Sequence, residues 1–155
     1  MNELADALKH ELQGLEILLH RMTTLRLMMA TGTQRSIERA AGELDEALAA
    51  LNVAESARAA ELSRAGFTDV AQAIDASDEP LRSDLTLTRT RLQRTHQEVL
   101  GAASATSSMA SRSLAHVQGT LQELGVLRGG ATEGWRSYGP GAGARSTVGF
   151  VEGSI

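Results

Sequence analysis

The chain has 155 residues, with 15 Lys and Arg against 19 Asp and Glu, for a net charge of −4. That length suits one domain with a core of its own, and the net acidity argues against a phosphate-binding nucleic-acid surface. There is no cysteine, which excludes disulfides, thiolate metal sites and a cysteine nucleophile.

Only Phe67, Trp135, Tyr138 and Phe150 are aromatic, and three of these lie beyond residue 130. The region before it must pack on Leu, Ala, Met, Val and Ile, as helical bundles and coiled coils do. Met1-Asn2-Glu3-Leu4-Ala5-Asp6 lacks the basic lead and apolar run of a secretory signal. No stretch reaches the ~20 apolar residues that cross a bilayer. The expectation is a cytoplasmic, all-α protein with no membrane insertion.

The first predicted element is a helix over roughly 3–30. Leu4, Leu8, Glu11, Leu15, Leu18, Met22, Leu25 and Met29 step by four and three, and Glu11 alone is polar. Leu12 and Leu19 widen the stripe on one flank. Thr31-Gly32-Thr33 supplies a stop and a new N-cap, so the chain reverses into a second helix. Its seam reads Ile37, Ala41, Leu44, Leu48, Leu51, Glu55, Arg58, Leu62 and Ala65, with Gly66 as C-cap. So short a connection makes the two helices an antiparallel hairpin over 3–65.

A short helical turn follows over 69–76, with Val70, Ala73 and Ile74 on one side. Ser77-Asp78-Glu79-Pro80 reads as a loop, with Pro80 near the first position of a third long helix over 81–127. The seam of that helix is poorer: Leu81, Leu85, Thr88, Leu92, Thr95, Val99, Ala102, Thr106, Met109, Ser113, Val117, Thr120 and Leu124. Gly101 and Gly119 each cost about 1 kcal/mol against Ala, which marks both as places to bend or fray. The last 28 residues hold eight of the 15 glycines, so composition divides the chain into a helical region, 1–127, and a flexible tail, 128–155.

No catalytic or metal constellation emerges. His10-Glu11 opens like a zincin helix, but Gly14 stands where the second histidine belongs. Glu16 and His20 share a helix face without a third ligand and read as a solvated ion pair. Gly125 to Gly130 has no Lys-Ser/Thr after it, and there is no Gly-x-Ser-x-Gly elbow. The chain is therefore expected to be no enzyme, with no cofactor and no metal.

Three features call for explanation. Glu55 and Arg58 sit within an apolar seam, either as a surface pair of i,i+3 type or as a polar layer that sets helix register. Between Val99 and Gln122 the only formal charge is Arg112. That stretch is a central helix of the bundle, an amphipathic helix with a neutral polar face, or a partner surface with Val99, Met109, Leu114, Val117, Leu121 and Leu124 as anchors. Trp135 and Tyr138, in the glycine-rich tail, are either incidental or part of a segment that orders on a partner.

Leu12-x-x-Leu15-x-x-Leu18-Leu19, Thr31-Gly32, and Glu55-Ser-Ala-Arg58 with Leu62 and Gly66-Phe67 follow in order along the chain, before a third long helix and a close on Tyr138-Gly139-Pro140-Gly141. That layout resembles the FlgN family of flagellar export chaperones. The resemblance implies a chaperone for hook-associated proteins of the FlgK and FlgL type. Such a chaperone binds their terminal helical segments, blocks premature assembly and delivers them to the flagellar type III export apparatus. Two other readings stay open, a coiled-coil scaffold that forms a homodimer and a small secreted helical-hairpin protein.

Overall fold

A computed structural model describes residues 1–123, and their side chains as far as Thr120. Four helices and no strand occur among the described residues: α1 (Asn2–Thr31), α2 (Gln34–Ala65), α3 (Val70–Asp75) and α4 (Leu81–Glu123). The protein is all-α, as the periodicity predicts. No helix among the described residues is long and apolar enough to cross a membrane.

α1 and α2 turn on two residues. The Gly32 N–H donates to the Met28 carbonyl at 2.7 Å, and a Cβ on Gly32 would lie 2.6 Å from that same oxygen. Glycine is needed here because the backbone passes too close for any side chain. Thr33 then caps α2 by accepting from the Ser36 N–H. At the far end Gly66 takes the left-handed conformation, with φ +81°. This lets the Gly66 and Phe67 N–H groups close on the Ser63 and Leu62 carbonyls.

Asp69 caps α3, its carboxylate accepting from the Gln72 N–H at 2.9 Å. Val70, Ala73 and Ile74 are all buried, on the side their spacing predicts. Replacing Asp69 with Ala should cost about 1 kcal/mol, read as a lower denaturant midpoint at unchanged slope. An unaltered midpoint would mean that water replaces the cap without loss.

The seam of α1 is borne out along nearly its whole length. Leu4, Leu8, Glu11, Leu15, Leu18, Met22 and Leu25 are buried, and Met29 is half-buried. α2 departs from expectation. Its buried line is Ala40, Ala47, Leu51, Ala54 and Leu62, whereas Ile37, Ala41, Leu44 and Leu48 are only half-buried and Ala65 is exposed. The two helices run close together, and the small side chains of the alanine line permit that approach. A Cβ on Gly14 of α1 would meet Leu51 Cδ1 at 3.2 Å, so Leu51 fills the space that Gly14 leaves.

α4 adds Leu85, Thr88, Leu92, Thr95, Val99 and Ala102 to the buried set. Two ion pairs set its direction. Lys9 contacts Asp84 at 2.6 Å and Glu16 contacts Arg91 at 3.0 Å, each across the same sequence separation of 75. Rising numbers pair with rising numbers, so α4 lies parallel to α1. α2 is antiparallel to α1, because Glu11 meets Arg58 whereas Arg21 meets Glu43. Ala102 is the last buried residue among those described.

α4 continues unbroken through Gly101 and Gly119. By packing, the chain divides between Met109 and Ala110, inside this helix, with residues 1–109 forming the first compact unit. The compositional boundary at 127/128 and the tail over 128–155 lie outside the described residues.

Candidate functional site

The charge-poor part of α4 contains two environments. Val99 is 1% exposed and packs in the core with Leu92 and Ala102. Its neutral surroundings in sequence place it among the anchors for a partner, but its position on the buried seam takes it off the surface. Met109 is half-buried. From Ala110 to Gln118 every residue is exposed, and Leu114 and Val117 are 56% and 53% exposed. These two, three residues apart, share one side of the helix. Around them stand Ser111, Ser113, Ala115 and Gln118, with Arg112 the formal charge of the stretch. The Leu121 side chain, Leu124, Trp135 and Tyr138 lie outside the described residues.

The second feature is polar and internal. Arg58 Nε lies 2.6 Å from Glu11 Oε2, with the Glu11 side chain 4% exposed and that of Arg58 18%. The N–H does not point along the line to the oxygen, so the contact is a close ion pair rather than an aligned hydrogen bond. Burial pushes the Glu11 carboxyl above its ordinary value. Arg58 pulls it down by charge and contact, and the nearby Glu55 carboxylate raises it again. Glu55 and Arg58 are not paired with each other in the contacts described. The partner of Arg58 is Glu11, on the opposite helix, and Glu55 stands half-buried beside them. The signal for this in the sequence is Glu11 itself, the single polar residue in the α1 seam.

Glu16 pairs with Arg91 of α4, with both side chains half exposed or more, so its observed partner is on another helix rather than His20. Among the described residues no group of three His, Asp or Glu side chains converges as metal ligands would. Exposed apolar side chains also occur at Ile17, Leu27, Val53, Leu87 and Leu100, spread over three helices. Sequence periodicity places them off the seams but does not single them out. What the arrangement offers chemically is apolar area at helical spacing, and in the first unit a set of cross-helix ion pairs.

No family model, curated protein or solved structure matches this chain.

Proposed function

We propose that the protein is an export chaperone of the FlgN type. It holds the terminal helical segments of hook-associated proteins and passes them to the flagellar type III export apparatus. The observation that carries this reading is the charge-poor, exposed stretch of α4 with Leu114 and Val117 on one side. The residue pattern that resembles the family, from Leu12 through Gly66-Phe67, supports it alongside.

The physical case rests on the client as much as on the chaperone. Hook-associated subunits assemble through apolar helical stripes outside the cell, and inside it those stripes need cover. A helix with a few apolar anchors and almost no charge can cover them by side-by-side packing. Small Ser and Ala neighbours let the two backbones approach. A few anchors suffice for a complex that must later release. The affinity expected is about nM to μM, on the order of −8 to −12 kcal/mol.

Replacing Leu114 and Val117 together with Asp should weaken capture of a FlgK- or FlgL-like protein by about tenfold or more, each anchor contributing ~1 kcal/mol or above. Because both side chains are exposed, helicity and melting should stay near the parent's. Undiminished capture by the Asp pair would remove this surface from the mechanism. A chain ending at Arg128, tested in the same pull-down, asks whether Trp135 and Tyr138 take part. Equal recovery with and without them limits binding to the helices. The scaffold reading makes the opposite forecast, a stable homodimer indifferent to client, which sedimentation with and without client separates.

A further inference from the structure

The apolar line of α4 stops and restarts along the helix. Its buried part runs through Leu85, Thr88, Leu92, Thr95, Val99 and Ala102 in steps of three and four. The same steps continue to Thr106, Met109, Ser113, His116 and Thr120, and so turn polar. One position later on the helix a second line carries the apolar residues, at Ala110, Leu114, Val117 and, by spacing, Leu121. Nearer the start of α4 that second line is polar, at Thr86, Arg89, Gln93 and His96. Ala110, Leu114 and Val117 are all exposed. Steps of four and three are the seam that one helix offers to another.

Charge decides which helix such a seam accepts. In paired helices the residues that flank the seam face their counterparts, and like charges there oppose pairing. The flanking positions here are Ser111, Ser113, Gln118 and Thr120, none of them charged. Arg112, the formal charge of this stretch, occupies the position opposite the seam. A seam that selects a different helix by charge carries complementary charge on its flanks, whereas one that meets its own copy pairs best without any. Among the described residues the other exposed large apolar side chains, at Ile17, Leu27, Val53, Leu87 and Leu100, are scattered over three helices. The complement that this chain offers to the seam is therefore the same seam of a second copy.

We infer that two copies of the chain associate through the seam of Ala110, Leu114, Val117 and Leu121. Four such side chains from each copy bury roughly 800 Å², less than the ~1,200 Å² at which stable interfaces begin. The pair is therefore weak and exchanges freely. The inference itself needs no client. Where it meets the chaperone reading, and resting on that reading, a client helix that takes Leu114 and Val117 displaces the second copy.

Sedimentation of the full chain without client, over a rising concentration series, should show a reversible monomer–dimer equilibrium. Ser113→Lys with Gln118→Lys places like charges on both flanks, whether the two helices run parallel or antiparallel, and leaves the apolar anchors in place. That variant should dimerise about tenfold more weakly or worse at low salt, and so should Ser113→Glu with Gln118→Glu. An equimolar mixture of the two should pair at least as well as the parent, because opposite charges then meet. Ser113 and Gln118 are exposed, so helical circular dichroism should match the parent in both variants. A Lys variant that dimerises like the parent overturns the inference, as does a mixture no stronger than either variant alone. A parent that stays monomeric to ~1 mM yet captures client through Leu114 and Val117 also overturns it, and leaves the chaperone reading standing. Pairing through the seam with no capture of client does the reverse.

Discussion

Replacing Arg58 with Leu should destabilise the protein by about 3–5 kcal/mol at neutral pH, the range for removing one member of a buried pair. The reason lies with the residue left behind. Glu11 stays almost fully buried, and without Arg58 the remaining influences on its carboxyl, burial and Glu55, both act upward. A carboxyl whose value is raised by folding binds its proton more tightly in the folded than in the unfolded chain. Its contribution is therefore fully present below the ordinary value of 4.5 and is lost as pH climbs through the folded value. In the parent Arg58 limits this loss, and in the variant nothing does. The deficit of Arg58→Leu should thus be small near pH 4 and full near pH 7. Denaturant melts at the two pH values measure it directly. An equal deficit at both would mean that the damage comes from lost packing of the arginine stem, not from the stranded carboxylate. Glu11→Leu combined with Arg58→Leu should recover most of the loss and fall between neutral and ~4 kcal/mol above the parent.

Leu18→Ala is the second large effect, at about 2–5 kcal/mol. Leu18 is 0% exposed and belongs to the cluster that joins α1 to α2 and α4. Its truncation removes transfer free energy and leaves a cavity that long, straight helices close only in part. In a cooperative unit of ~100 residues each kcal/mol lowers the melting midpoint by about 4–8 °C. Thermal melts of Leu18→Ala and of Leu114→Ala form the natural comparison, because Leu114 is exposed and its truncation should stay within ~0.5 kcal/mol. Similar losses at the two positions would contradict the division of α4 and α1 into buried and open faces.

How far the sequence can be read depends on the element. In α1 the apolar stripe is dense and continuous, so periodicity with its one flank identifies every buried residue from Leu4 to Leu25 except Ala5. The caps at Gly32, Thr33 and Gly66 are equally plain, because they act through local geometry that their neighbours in sequence define. α2 is harder because hydrophobicity counts leucines, whereas close helix approach favours alanines, and the approach distance is a property of two helices at once. Val99 misleads for a related reason. A valine in a neutral stretch looks the same whether α1 lies beside it or not, and only the parallel register of α4 decides that.

By itself the sequence determined an all-α fold class and the turns between the described helices. These follow from local backbone preferences and from residue types, which need no knowledge of distant neighbours. Only the tertiary structure decided that Glu11 and Arg58 meet, that α2 turns its alanines inward, and that burial along the described part of α4 ends at Ala102. Each of these depends on which faces of separate helices come together, and local preferences along one segment do not specify that choice.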